Sequence, residues 1–197
     1  MKNFLKNWWQ VLVFALVMII LRVFFISPIV VDGHSMDPTL ADGERMILVH
    51  HLPINRFDIV VSAEPGVPGR NIIKRVIGLP GDELKFDHDQ LSINGTKYEE
   101  PYLAEFQTRW KKDRLQDTYS FNAYFQEIAE NASAFTQLAN GSAVFTVEVP
   151  QGHYFLMGDD RLISKDSRDP AVGPIPRADI RGRATLAFWP LNRIRLF

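Results

Sequence analysis

The hydrophobic and polar positions change character twice along the chain. From Trp8 to Ile26 almost every position is apolar, with only Gln10 and Arg22 interrupting near the two ends. A run of that length, about 20 residues, predicts a membrane-spanning helix. Beyond Ser27 the pattern becomes short β-branched runs punctuated by Gly and Pro, over 28–33, 45–52, 57–63, 71–82, 90–98, 143–152, 154–160 and 184–190. Such spacing predicts an antiparallel β domain. Within it, Asn94-Gly95 stands between alternating residues, the signature of a two-residue hairpin turn. One stretch departs from the β pattern. Phe121, Tyr124, Phe125 and Ile128 recur at helical spacing and Phe135 and Leu138 extend the apolar face, so 102–140 is expected to be partly helical. The basic Trp110–Arg114 reads as a solvated helix face.

The apolar run is longer than the core of a cleaved secretory signal, and residues 27–35 (SPIVVDGHS) hold no small-x-small cleavage pattern, so a retained anchor is expected. Trp8 and Trp9 suit one membrane interface and Arg22 can snorkel to the other. Lys2 and Lys6 favour a cytoplasmic N-terminus, which would put everything after Ser27 outside the plasma membrane. Over all 197 residues, 22 Lys plus Arg against 23 Asp plus Glu give a net charge of −1, no footprint for a nucleic-acid partner. The chain has no cysteine, which removes disulfides, thiolate zinc sites, iron–sulfur clusters and a cysteine nucleophile together. Any covalent catalysis must use Ser, Thr, Lys or a carboxylate. The five histidines show no recognised metal spacing, His50-His51 being a weak pair at best, so no metal site is expected, and no cofactor is expected either.

Three segments are richer in polar chemistry than a structural domain needs. In Gly33–Leu40 (GHSMDPTL), a serine follows a glycine-containing turn and precedes a proline, where a stiff backbone can present its hydroxyl. In Ile72–Ile77 (IIKRVI), strand alternation puts Lys74 with Ile72 and Val76 and Arg75 with Ile73 and Ile77, so periodicity does not choose between the two cations. Chemistry does, because only a desolvated lysine can lose its proton and act as a neutral amine. Lowering a lysine pKa by roughly 3 from near 10.4 takes about 4 kcal/mol of differential destabilisation of the ammonium, which an apolar strand face can supply. Alone, Lys74 reads more simply as a snorkelling edge-strand lysine. The third segment, Gly158–Arg168 (GDDRLISKDSR), shifts that balance, since Asp160/Arg161 and Asp166/Arg168 suggest ion pairs that hold a site rigid.

Ser-Met-x-Pro-Thr-Leu at 35–40, Phe-Asp-Ile-Val-Val at 57–61, Ile-Lys-Arg-Val-Ile-Gly-Leu-Pro-Gly-Asp at 73–82 and Gly-Asp-x-Arg…Ser-x-Asp-Ser-Arg at 158–168 resemble, in order, the successive boxes of the bacterial type I signal peptidases. The single apolar span on a short chain is similar to the Gram-positive form. The resemblance implies a mainly β fold, with a transmembrane helix followed by an antiparallel Ser-Lys peptidase core and a partly helical insertion. It implies Ser35 as nucleophile and Lys74 as general base, with Ser164 orienting the Lys74 amine and Asp166 and Arg168 holding that loop. Arg75 and Arg161 would be structural. The implied substrates are secretory preproteins cut after a small-x-small (Ala-x-Ala) signal-peptide junction, at the membrane lipid and near the secretion translocon. Val31, Met36, Leu40, Ile72 and Ile73 match the walls of shallow apolar pockets, and an extended peptide would add a strand to the sheet edge.

This sequence departs from the family pattern at two positions. Gly33 stands where larger members carry a serine whose hydroxyl helps to bind the oxyanion, and Asp160 stands where an asparagine is usual. The expected organisation is a cytoplasmic end and anchor over 1–27, core over 28–82, an inserted cap or side domain over 83–149 and the rest of the core over 150–197. The competing readings are an inactive membrane-tethered β module that binds peptides or envelope partners, a self-cleaving Ser-Lys repressor, and a histidine-dependent hydrolase. The second needs a DNA-binding domain where this chain has its apolar run. The aromatic and basic C-terminus, Phe188–Pro190 and Arg193–Phe197, fits either a bilayer contact or a packed final strand.

Overall fold

The computed structural model describes residues 2–197, leaving out the side chains of 2–7, 20, 21 and 23, so that Lys2 and Lys6 lie outside the described side chains. The apolar run forms helix α1, Lys2–Phe24, whose described apolar side chains from Trp8 to Phe24 are largely exposed. Among the residues whose side chains are described, which leaves out 2–7, 20, 21 and 23 of α1, no helix is long and apolar enough to cross a membrane.

After α1 the chain builds two antiparallel sheets. The larger contains β1 (Ile26–Val30), β2 (Arg45–Val49), β3 (Ile59–Ala63) and β4 (Asn71–Gly78) from the first half of the chain. From the second half it takes β9 (His153–Met157), β10 (Ile175–Pro176), β11 (Ile180–Trp189) and β12 (Arg195–Leu196). Its order is β1-β2-β11-β3-β4-β9-β10, with β12 beside β11. The smaller sheet is β7-β6-β5-β8, from β5 (Glu83–Asp87), β6 (Gln90–Ile93), β7 (Thr96–Tyr98) and β8 (Val144–Glu148). Between β7 and β8 lie α2 (Ala104–Asp113) and α3 (Ala123–Asn131). The mainly antiparallel β fold is therefore as the run spacing predicts, and Asn94 (φ 51°) and Gly95 (φ 79°) take the left-handed conformations that a tight β6–β7 turn requires.

Sequence reading missed β5, whose alternation rests on only Leu84 and Phe86, both fully buried. It also started β11 late, because the first half of that strand reads Ile-Arg-Gly-Arg. Gly182 is required there: a Cβ would lie 2.6 Å from the Val49 carbonyl oxygen. Of the residues expected on one apolar helix face, Phe121 precedes α3, because the Asn122 side chain accepts from the amides of Tyr124 and Phe125 and caps that helix, and Phe135 and Leu138 lie beyond its end. In α2, Lys111 and Lys112 are exposed as expected of a solvated face, but Trp110 is buried in the helical cluster and Arg114, past the helix end, stacks 4.2 Å from the Trp110 ring centre.

The smaller sheet has no core of its own. Leu84, Phe86, Leu91, Ile93 and Phe145 bury their side chains in one cluster with Ile77 of β4 and Phe155 and Met157 of β9. A second cluster, from Val31, Met36, Leu40, Met46, Ile59 and Ala184, supports the loop between β1 and β2. That loop is also fastened from the far end of the chain. Arg193 and Arg195 both pair with the buried Glu44 carboxylate, at 2.9 and 2.7 Å, and donate to the carbonyls of Pro38 and Thr39 respectively. The C-terminus is thus packed against the serine loop, a contact the Arg-x-Arg pattern alone did not reveal.

Candidate active site

Three strands separate β1 from β4 in the sheet, yet residues of both line one groove, so the sheet curls until its first edge faces its middle. The groove encloses about 680 Å³ and is lined by Ile29–Met36 on one side and Arg70–Lys74 on the other. Ser35 and Lys74 meet within it, with Lys74 Nζ 2.6 Å from Ser35 Oγ. Lys74 is only 4% exposed. Burial brings its amine from 10.5 down to about 8, against the opposing influence of the Asp166 carboxylate. The neutral amine that the sequence argument asks for is thus accessible in mildly alkaline water, and the pattern's plainer reading, a snorkelling surface lysine, does not apply.

No histidine competes for Ser35. His34 turns away to Asp37 Oδ2, 2.9 Å from Nδ1, and its ring lies 4.6 Å from Phe121. His50 bonds to Ser27 and the Arg181 carbonyl, His88 to Asp87 and His153 to the Gln151 carbonyl, while His51 lies against Phe25.

The loop after β9 forms the floor beneath the pair. Asp166 is fully buried, accepts from the Gly158 amide at 2.9 Å and forms a two-bond fork with Arg168, at 2.9 and 2.8 Å. Burial works to raise the Asp166 carboxyl, yet Arg168 holds it below the usual carboxylate range. Arg168 also donates to the carbonyls of Gln137 and Ser164. Gly158 is where this loop touches the nucleophile: a Cβ there would lie 2.2 Å from Ser164 Oγ and 2.3 Å from the Ser35 carbonyl oxygen. Only glycine allows the approach. Ser164 Oγ is buried beside it without a hydrogen bond, so the bond expected between Ser164 and the Lys74 amine is not made.

The expected Asp160–Arg161 ion pair is not formed. Arg161 pairs instead with Glu100, at 2.5 Å, and Arg75 forks onto Asp159, at 2.8 and 2.5 Å, while its guanidinium stacks 3.9 Å from the Tyr102 ring centre. Neighbours on a loop point apart, so adjacency in sequence misassigned the partners. Asp160, free of a cation, receives the Tyr119 hydroxyl on both oxygens, at 2.6 and 2.7 Å. Burial pushes its carboxyl up to about 7, although the Tyr119 hydrogen bond works downward.

Of the expected pocket residues, Val31, Met36, Ile72 and Ile73 line the groove. Leu40 does not: it is fully buried in the cluster under the loop, because the turn over 36–40 directs it inward. Glu64, Arg70, Phe125, Ile163 and Lys165 also line the groove, and none was singled out for it. Gly33, at φ 92°, has open space where a Cβ would go, and its amide donates to Asp42 at 2.8 Å.

Comparison with known proteins converges on one group. A family model described as signal peptidase, peptidase S26, matches residues 5–189. Signal peptidase I of Streptococcus pneumoniae (strain ATCC BAA-255 / R6) is 48% identical over 203 residues, covering 100% of this chain and 98% of that protein. Signal peptidase I U of Bacillus subtilis (strain 168) is 37% identical, covering 94% of this chain and 88% of that protein. A crystal structure of a signal peptidase I from Enterococcus faecalis V583 is 30% identical, with a TM-score of 0.49, over 68% of this chain and 98% of that one. A family match running almost from end to end, joined to relatives aligned over nearly their full length, shows that this chain belongs to the signal peptidase family, peptidase S26.

Proposed function

We propose that the protein is a membrane-bound serine endopeptidase that removes signal peptides from exported preproteins after an Ala-x-Ala junction, with Ser35 and Lys74 as its catalytic dyad. The observation that carries this reading is the 2.6 Å approach of Lys74 Nζ to Ser35 Oγ inside a peptide-sized groove. Lys74, as the neutral amine, takes the Ser35 proton while Oγ attacks the scissile carbonyl. The resulting ammonium returns the proton to the departing amine, leaving an acyl-Ser35 ester. Lys74 then takes a proton from the water that hydrolyses it. The Ser35 amide, which donates no hydrogen bond among the described residues, is positioned by sequence to receive the oxyanion. Asp166 and Arg168 hold the loop on which Gly158 closely approaches the Ser35 carbonyl and the Asp160 amide donates to it.

The open edge of β4 from Asn71 to Lys74 suits an added peptide strand, with Val31, Met36, Ile72 and Ile73 limiting the side chains to small ones. Residues 28–82 and 150–197 supply the catalytic core, and 83–149 is an inserted side domain that shares that core's interior. We assign α1 to the membrane, with the N-terminus cytoplasmic and the catalytic domain outside, beside the translocon that delivers its substrates. At about 1.5 Å per residue its 23 residues reach about 35 Å, and its exposed apolar side chains call for lipid.

The test is cleavage of a purified precursor with an Ala-x-Ala junction by the detergent-solubilised wild type and by Ser35→Ala, with the released N-terminus sequenced. Cleavage at that junction by the wild type alone is expected. Failure of both proteins in lipid as well as detergent would turn the reading toward the peptide-binding module.

A further inference from the structure

The groove that holds Ser35 and Lys74 has two unlike sides. Along β4, Asn71 to Lys74 pair with β3 only, because β9 joins from Arg75 onward. An extended peptide can therefore use that edge up to Lys74 and no further, since Met157 and Leu156 then occupy it. A chain threaded over the dyad has to leave β4 there and cross the loop after β9. Ile163 and Lys165 of that loop, together with Phe125 of α3, line the same groove as Ser35 and Lys74.

Phe125 belongs to an aromatic cluster. Its ring lies 5.8 Å from Tyr119, 6.0 Å from Phe121 and 6.3 Å from Tyr124. Phe121 in turn lies 4.6 Å from the ring of His34, the residue just before the nucleophile. From below, the Tyr119 hydroxyl is bonded to Asp160, whose amide donates to the Ser35 carbonyl at 3.2 Å. The cluster is thereby fixed to the serine loop from two directions. Yet Phe121 and Tyr124 remain 58% and 66% exposed, large apolar surfaces beside the Phe125 ring that lines the groove.

We propose that Phe121, Tyr124 and Phe125 form an apolar subsite for the side chain one or two residues after the scissile bond, at the start of the released protein. The proposal rests on the peptidase reading, in which the aliphatic side of the groove takes the small residues before that bond. A peptide is the occupant because Phe125 lines the groove itself. The insertion then selects substrates as well as supporting the core.

Two synthetic precursors test this, sharing one Ala-x-Ala junction and carrying Leu-Leu or Gly-Gly immediately after it. The full-length wild type, Phe121→Ala and Phe125→Ala are compared by kcat and KM in detergent. The wild type is expected to favour the Leu-Leu form about tenfold in kcat/KM, the scale of a modest apolar pocket. Either variant should shrink that preference to about twofold, mainly through KM. Phe121 is mostly exposed, so its variant stays informative if Phe125→Ala misfolds. Equal kcat/KM for the two precursors with the wild type, or a preference undiminished in Phe121→Ala, would overturn the subsite and leave the peptidase reading standing. Weaker binding of Phe121→Ala to anionic lipid vesicles, with that preference undiminished, would assign the cluster to lipid instead. Cleavage of neither precursor by the wild type would overturn both.

Discussion

Lys74→Met is expected to abolish precursor cleavage and to make the fold more stable. The loss of activity follows from removing the base in contact with Ser35 among the described residues, and a fall of at least about 10³-fold in kcat is the scale for a missing member of such a catalytic unit. The gain in stability follows from the same burial that prepares the amine. Holding Lys74 at about 8 instead of 10.5 means that the ammonium is disfavoured in the folded state, by as much as about 3 kcal/mol. Between those two values the unfolded chain binds the extra proton, so the cost is present in full below about pH 8 and vanishes as pH rises towards 10.5. A methionine of similar length carries no such cost. Its Tm advantage over the wild type should therefore be largest near pH 7 and disappear near pH 11. Thermal unfolding at the two pH values checks this, and a variant less stable than the wild type at pH 7 would contradict the burial argument.

Asp159→Ala should have the opposite effect on stability. Asp159 is fully inaccessible and holds both Nε and a terminal nitrogen of Arg75, itself 8% exposed. Removing the carboxylate leaves a buried guanidinium with the Phe57 carbonyl and the Tyr102 ring but no counter-charge. Loss of one partner from such a pair costs about 3–5 kcal/mol. In urea unfolding, the same truncation at Glu105, whose bond to Arg109 lies on the exposed face of α2, should cost no more than about 0.5 kcal/mol. Similar losses at the two sites would mean that the Arg75–Asp159 fork is not a buried support of β4.

The parts of this molecule that were legible in advance share a local cause. Asn94-Gly95 encodes its turn in two residues, and the β-branched runs encode strands with one buried face. Lys74 did not stand out from its strand, where Ile72 and Val76 share its face and a snorkelling lysine is the simpler reading; the polar run over 158–168 and the family resemblance of the four segments singled it out. What stayed hidden depends on long-range closure. Glu44 meets Arg193 and Arg195 across most of the chain, Asp159 meets Arg75 across a strand pair, and Phe125 reaches the groove because the helical cluster that holds it packs with Leu162 and Ile163 of the loop after β9. Nearest-neighbour charge pairing mistook Arg161 for the partner of Asp160, since sequence proximity says nothing about which way two loop side chains point. Leu40 was misplaced for a similar reason, because its loop turns it away from the groove into the core.

Activation of Ser35 by a neutral Lys74 should be visible in the pH dependence of kcat/KM for precursor cleavage. The rate is expected to rise on the alkaline side through an apparent pKa of about 8, the value that burial gives the Lys74 amine. A rate that climbs only at the ordinary lysine value near 10.5, or one that is flat from pH 6 to 10, would contradict it.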